Sequence, residues 1–101
     1  MDLKEILSTE DSLWEAYSLT ALVMAYAIKN MVALSSEPIE VKPSRREAVR
    51  RIIRQLKNEE LITDYGEGYT ATIGGLAWAY DNEFIRMTLK EISDKYETDI
   101  L

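Results

Sequence analysis

Residues 44–58 separate apolar from basic side chains so clearly that they constrain the fold more than any other part of the chain. On a helical wheel of 100° per residue, the apolar side chains fill one arc of roughly 140°, and basic side chains occupy most of the opposite arc. The apolar residues are Ala48, Val49, Ile52, Ile53 and Leu56. Ser44 and Glu47 have the spacing of a capping box, which predicts a helix that begins at Ser44 and ends near Asn58.

Basic residues are gathered around this helix, although the chain as a whole is acidic. The formal net charge is −6, from 12 basic and 18 acidic residues. Residues 42–57 hold seven bases and one acid, so this window carries +6 and the rest of the chain carries −12. Like charges this close repel one another, and the arrangement is easier to understand if a polyanion neutralises them. A solvated helix face with no partner is the plainer alternative.

The N-terminal third has the pattern of one long, buried helix. A chain of 101 residues is enough for one core, so we expect a single domain over residues 1–101. After an acidic lead-in over 1–8, residues 9–34 form the predicted N-terminal helix region, which is apolar on nearly all sides. Such a helix is buried on most sides, by its own domain and in part by a second copy. A break near Asn30 into two shorter helices is the alternative.

The same region is too short in its uncharged part to cross a membrane. Its longest stretch without charge, residues 16–28, has 13 residues, whereas a membrane-spanning helix needs about 20. The first residues of the chain are acidic, unlike the basic start of a signal peptide. We therefore expect a cytoplasmic protein with no membrane partner.

The remaining segments predict a short strand, a hairpin and a final helix. Residues 39–42 alternate apolar and polar side chains between two prolines, which favours one short strand. Residues 61–73 contain two strand-like runs around a glycine-rich turn, which predicts a β-hairpin. A helix over 75–96 follows, with Thr72 as a candidate cap and a bend near Asn82. The predicted fold class is mostly α with a small β-hairpin and long N-terminal and C-terminal helices.

Five large side chains in the last predicted helix recur at spacings of seven, four, three and four residues. They are Trp78, Ile85, Leu89, Ile92 and Tyr96. A heptad pattern of this kind favours pairing with a second helix, so we expect residues 75–96 to form a homodimer interface. The alternative is that the same stripe packs inside the core of one chain.

The residue types that are missing limit the chemistry of this chain. It has no cysteine and no histidine, which excludes disulfides, zinc sites built on thiolate or imidazole, thiol nucleophiles, and catalytic triads that use an imidazole base. The close acidic pairs near the last helix, Asp81 with Glu83 and Asp94 with Glu97, are typical of solvated surfaces. We therefore expect no enzyme activity, no cofactor and no metal.

The order of elements and two short motifs resemble the winged helix-turn-helix family of DNA-binding regulators. Residues 56–62 are similar to the end of the family's recognition helix, where a leucine is followed by a glycine-leucine-isoleucine strand start. Residues 69–75 are similar to the second wing strand, with Ala71 in the place of a leucine, and Ala79 falls at a small or apolar position. The resemblance covers residues 44–79, and the small, acidic chain is similar to regulators of archaea and their viruses.

Three features depart from the family pattern. Glu60 stands where the family has a glycine after the recognition helix. The wing tip, residues 64–68, has two acids and no base. The helix that normally precedes the recognition helix has no clear counterpart between Leu34 and Pro43, and the end of the N-terminal helix after a break near Asn30 is the candidate for it.

The resemblance implies a homodimeric transcription regulator whose helix 44–58 lies in the major groove of double-stranded DNA. The expected DNA-binding residues are Lys42, Ser44, Arg45, Arg46, Arg50, Arg51, Arg54 and Lys57. Arg45, Arg46 and Arg50 would reach base edges from the start of the helix, and the others would contact the phosphate backbone. The alternative is a winged-helix module whose basic helix docks an acidic protein partner, which the acidic wing tip favours.

Overall fold

The computed structural model describes residues 2–100, which are mostly helical with one small antiparallel sheet. The helices are α1 (Leu3–Thr9), α2 (Asp11–Ala16), α3 (Leu19–Ala33), α4 (Arg46–Asn58), α5 (Ile73–Asp81) and α6 (Glu83–Tyr96), the strands are β1 (Ile62–Tyr65) and β2 (Gly68–Ala71), and a 3₁₀ turn (Pro43–Arg45) leads into α4. The predicted class, mostly α with a small hairpin, is confirmed at this level.

The N-terminal region folds as three helices, so the prediction of a lead-in over 1–8 and one helix over 9–34 is wrong. Asp2 caps α1 by accepting a hydrogen bond from the backbone amide of Lys4. The chain becomes extended at Tyr17, and Ser18 then caps α3 by accepting from the amide of Ala21. The break therefore lies at residues 17–18, and α3 continues past Asn30 without interruption.

Helix α3 is the centre of the core, as its apolar character predicts. Residues 21–28 are all buried, and they are covered by α1, the hairpin, α4, α5 and α6 of the same chain. Asn30, also buried, donates from Nδ2 to the carbonyl of Tyr69 at 2.8 Å and so ties the end of α3 to the hairpin. One chain is thus enough to cover residues 21–28, whereas Val32 and Leu34 at the C-terminal end of this helix stay 71% and 79% exposed.

Residues 35–42, which we call the strap, connect α3 to the 3₁₀ turn without regular structure. The predicted strand over 39–42 is absent, because these residues have no ladder partner and prolines bound them on both sides. The strap is anchored by the Tyr26 hydroxyl, which donates to the carbonyl of Pro38 at 3.1 Å. It also lies against the hairpin, where a Cβ on Gly68 would fall 2.4 Å from the carbonyl oxygen of Glu37.

Helix α4 ends at Asn58 as expected, but it does not begin with the predicted capping box. Ser44 lies inside the 3₁₀ turn, and Arg45 occupies the N-cap position with no side-chain hydrogen bond to the helix. Pro43 favours this outcome, since its fixed φ suits the first position of a helical turn and starts the 3₁₀ turn three residues before α4.

The hairpin forms where it was predicted, with Ile62 opposite Ala71 and Tyr65 opposite Gly68. Its last strand leads into α5, which Thr72 caps by accepting from the amide of Gly75 at 2.8 Å. Gly75 is essential to this junction, because a Cβ there would lie 1.9 Å from the carbonyl oxygen of Leu61.

The C-terminal region is two helices, α5 and α6, and its apolar stripe is part of the single-chain core. Asn82 ends α5 and caps α6 by accepting from the amide of Ile85 at 3.1 Å. Ile85, Leu89 and Ile92 are buried within this chain, and Trp78 and Tyr96 are half-buried against the same core. The expected dimer seam on these residues is therefore corrected, because three of its five side chains are not available to a second copy.

Two further findings concern residues 2–100. None of their helices combines the length and the apolar character that a bilayer crossing requires. Their acidic side chains do not gather in any group of three or more that could hold a metal ion.

Candidate nucleic-acid interface

The solvent face of α4 carries four arginines that are free of carboxylate partners within residues 2–100. Arg46, Arg50, Arg51 and Arg54 are all exposed, and the ion pairs of the described chain do not include them. We call these four residues the arginine face. The arginine face points to solvent because the opposite side of α4 packs in the core through its buried residues, Val49 and Leu56.

One acid shares this face. Glu47 is exposed in the first turn of α4, where a negative charge suits the positive end of the helix dipole. On the helical wheel it falls between Arg54 and Arg51, so the net charge of the exposed face is about three positive charges. The face is strongly cationic, but it includes one acidic side chain that the sequence pattern did not place there.

Two of the predicted DNA-binding residues, Lys42 and Arg45, are held by acids of α2. Lys42 Nζ lies 2.9 Å from Oδ2 of Asp11, and Arg45 pairs with the other oxygen of the same carboxylate. Arg45 also approaches Oε1 of Glu15 at 3.7 Å and keeps only 18% of its side chain exposed. Hydrogen bonds from Arg45 first, and from Lys42 second, hold the pKa of Asp11 below its usual range. Arg45 is thus held back from the base-edge role expected for it.

A third cation, Lys57, is paired with the hairpin. Its Nζ lies 2.5 Å from Oδ1 of Asp64 on β1, and 37% of the side chain is exposed. This ion pair ties the C-terminal end of α4 to the first strand. Of the seven bases between residues 42 and 57, three are therefore engaged by acids, and the remaining four are the arginine face.

The remaining predicted site residue, Ser44, is exposed in the 3₁₀ turn. Its hydroxyl does not cap α4, so it stays available to a phosphate or to water. The hairpin tip beside α4 is acidic and exposed, with Asp64 and Glu67 facing solvent. The structure thus places a cationic surface directly beside an anionic one.

The acids that engage Lys42 and Arg45 were not found from the sequence. Asp11 lies 34 residues from Arg45, and it has the local pattern of an ordinary helix-start acid. The only signal in the sequence was the large acid surplus outside residues 42–57, which indicates that basic residues meet acids in the fold but does not say which ones.

The chain matches no protein-family model, and neither a curated protein nor a solved structure is detectably similar to it.

Proposed function

We propose that this chain binds double-stranded DNA through the arginine face of α4, as a winged-helix-like transcription regulator. The observation that carries the proposal is the set of four exposed arginines on one helix, with no carboxylate partner among the described residues. A guanidinium forks onto guanine O6 and N7 or onto a phosphate, and an α-helix fits the width of the major groove.

The backbone after α4 supports the winged-helix comparison. Glu60 has a φ of 60°, in the left-handed region that glycine adopts without strain. The family resemblance places a glycine at this position. Glu60 therefore departs from the family pattern in residue type, but its backbone has the conformation that a glycine adopts readily.

The connection before α4 counts against a regular helix-turn-helix. Twelve residues, 34–45, separate α3 from α4, and they include the strap and the 3₁₀ turn. A helix-turn-helix joins its two helices by three or four residues. The proposal therefore depends on α4 and the hairpin, and it assigns no DNA contact to a preceding helix.

The DNA proposal is tested by fluorescence anisotropy with a random-sequence 20-base-pair duplex over a range of salt concentrations. The double variant Arg50→Glu/Arg54→Glu should lose binding, because it removes two cations from the arginine face and adds two anions. Arg86→Glu/Lys95→Glu makes the same change of net charge at exposed positions of α6 and should retain binding. Equal loss in both variants, or no binding by the wild type at low salt, would refute the proposal.

A second candidate function is docking of an acidic protein on the same arginine face. The observation that favours it is the acidic hairpin tip beside α4, since Glu67, which has no cationic partner within residues 2–100, would repel a phosphate backbone that ran across both α4 and the hairpin tip. A folded partner can contact the arginine face and leave the hairpin tip aside. Absence of DNA binding, together with binding to polyglutamate peptides that Arg50→Glu/Arg54→Glu abolishes, would favour this function.

We also propose that the chain acts as a homodimer, which needs a surface other than the predicted seam. On α6, Phe84 and Met87 are 63% and 58% exposed, and they line a shallow hollow with Lys90, Glu91 and Asp94. This face carries both signs of charge, so it can pair with itself across a two-fold axis.

Light scattering during size-exclusion chromatography tests the dimer separately from DNA binding. The wild type should have the mass of two chains, and Met87→Lys should have the mass of one. Ile73→Lys, at an 81% exposed position on α5, is the matched control and should remain dimeric. A wild-type mass of one chain at about 100 µM would remove the dimer from the proposal.

A further inference from the structure

A cleft of about 570 Å³ lies between α4, the strap and the hairpin. Its apolar surface comes from all three elements and includes Val49 and Ile53 of α4, Ile39 and Val41 of the strap, and Tyr69 of β2. A volume of this size is within the range of sites that hold small organic molecules, roughly 300–1,000 Å³.

The charges around this cleft balance. Arg46, Arg50 and Lys57 line it from α4, and Glu40, Asp64 and Glu67 line it from the strap and the hairpin. Lys57 and Asp64 neutralise each other at 2.5 Å. Two unpaired arginines thus remain on one side and two unpaired glutamates on the other, a pattern that attracts a molecule with one anionic and one cationic group.

Tyr69, which lines the cleft, is 4% exposed, and its hydroxyl oxygen is buried with no hydrogen-bond partner within residues 2–100. Burial raises the pKa of Tyr69 well above its ordinary value, so the hydroxyl stays protonated. Because this oxygen has almost no accessible surface, a ligand in the cleft would contact the apolar part of Tyr69 and would be held by the charged side chains.

We propose that this cleft binds a small zwitterion with an apolar body, of the size of a dipeptide. The ligand's carboxylate lies on Arg46 and Arg50, its ammonium group on Glu40 and Glu67, and its apolar side chains on the surface of Ile39, Val41 and Ile53. A fatty acid matches this lining less well, because it has no cationic group for the two glutamates.

This binding goes beyond the proposed DNA function and is connected to it by two shared residues. Arg46 and Arg50 belong both to the arginine face and to the cleft, whereas Arg51 and Arg54 lie outside the cleft. The ligand's carboxylate would occupy Arg46 and Arg50 and neutralise one of the four positive charges of the arginine face. The ligand would therefore act as an effector that weakens DNA binding.

Isothermal titration with the dipeptide Phe-Leu and two modified forms tests the proposal without DNA. Acetyl-Phe-Leu lacks the ammonium group, and Phe-Leu amide lacks the carboxylate. A charged hydrogen bond contributes enough for its loss to weaken binding about tenfold or more, so Phe-Leu should bind at least about tenfold more tightly than either modified form. No binding of Phe-Leu at millimolar concentration, or equal binding of all three, would overturn the proposal.

Paired variants locate the two charged ends. Arg46→Gln/Arg50→Gln should abolish the preference for Phe-Leu over its amide, and Glu40→Gln/Glu67→Gln should abolish the preference over the acetylated form. All four residues are exposed, so these changes leave the core intact. Arg51→Gln/Arg54→Gln is the matched control and should keep both preferences. If the control behaves as the first variant does, the site is not this cleft. Since no arm of the test uses DNA, failure here and failure of the DNA proposal are distinguishable.

Discussion

Replacing Asp11 by asparagine should make DNA binding both tighter and more dependent on salt. Asp11 holds Lys42 and Arg45 at the N-terminal end of α4, and it is their shared carboxylate partner. Asparagine keeps the shape of the side chain but removes the charge. Lys42 is then free, and Arg45 keeps only the longer contact with Glu15, at 3.7 Å, so both cations can approach the phosphate backbone beside the arginine face.

The size of the effect follows from the number of free cations. Each phosphate contact contributes about −0.9 to the slope of log K against log salt concentration. The four arginines of the arginine face give a wild-type slope of about −3.6, and two more cations would make it about −5.4. Between 50 and 200 mM salt, the affinity should then fall roughly 150-fold for the wild type and about 2,000-fold for Asp11→Asn.

Anisotropy titrations with the random-sequence duplex at five or six salt concentrations give both slopes. Asp94→Asn is the matched control, because it also removes one acid and frees one cation, Lys90, on the remote α6. Its slope should equal that of the wild type. If Asp11→Asn also leaves the slope unchanged while the protein stays folded, the two cations do not act at a DNA surface, and the reasoning from ion pairs to affinity is refuted.

Three further predictions concern stability. In urea unfolding, Gly75→Ala should destabilise the fold by about 1–3 kcal/mol or more, because its Cβ would collide with a backbone carbonyl. Gly74→Ala, by contrast, meets nothing closer than 3.7 Å and should stabilise the helix by about 0.5 kcal/mol. Burial raises the pKa of Tyr26 to about 12 and that of Tyr69 further. The unfolded chain therefore ionises first, so the free energy of unfolding should be constant up to about pH 10 and fall above it. Replacing both tyrosines by phenylalanine should flatten this fall. Leu89→Ala should destabilise the fold by about 2–5 kcal/mol without changing the molecular mass in solution, because this side chain is wholly buried in one chain. A change of oligomeric state with little loss of stability would show instead that Leu89 lies in a dimer interface.

The parts of the fold that the sequence predicted are those that local chemistry decides. The C-terminal end of α4 at Asn58 followed from its two-faced pattern, and the hairpin followed from Gly66 and Gly68 between two strand-like runs. Thr72 was recognisable as a capping residue and Asn82 as the place of a bend, and each accepts a backbone hydrogen bond at the start of a helix. In each case the residue and its partner lie within a few positions of one another, so spacing alone carries the information.

The breaks in the N-terminal region were missed because the apolar pattern runs through them. Leu13 and Trp14 are buried on α2, and the burial resumes on α3. A pattern of burial does not show that Tyr17 becomes extended between them or that Ser18 starts a new helix. The capping box at Ser44 failed for a related reason, since the preceding proline starts a competing 3₁₀ turn.

The C-terminal stripe shows a different limit. Its spacing correctly marked one side of the helix as apolar, but a periodic pattern does not say what covers that side. Ile85, Leu89 and Ile92 pack within their own chain. The candidate site was limited in the same way, because the pattern placed the basic residues on α4 and could not show that Asp11 and Asp64 engage three of them.

The acid surplus therefore divides the basic residues into three groups with different uses. Lys42, Arg45 and Lys57 are engaged by acids of the same chain. Residues 46 and 50 line the balanced cleft, and residues 51 and 54 lie outside it. If both proposals hold, loss of the last pair weakens DNA binding alone, whereas loss of the middle pair weakens both DNA and dipeptide binding. A single undivided patch of positive charge would not separate the two ligands in this way, so the comparison of the two pairs distinguishes an organised site from a merely cationic helix.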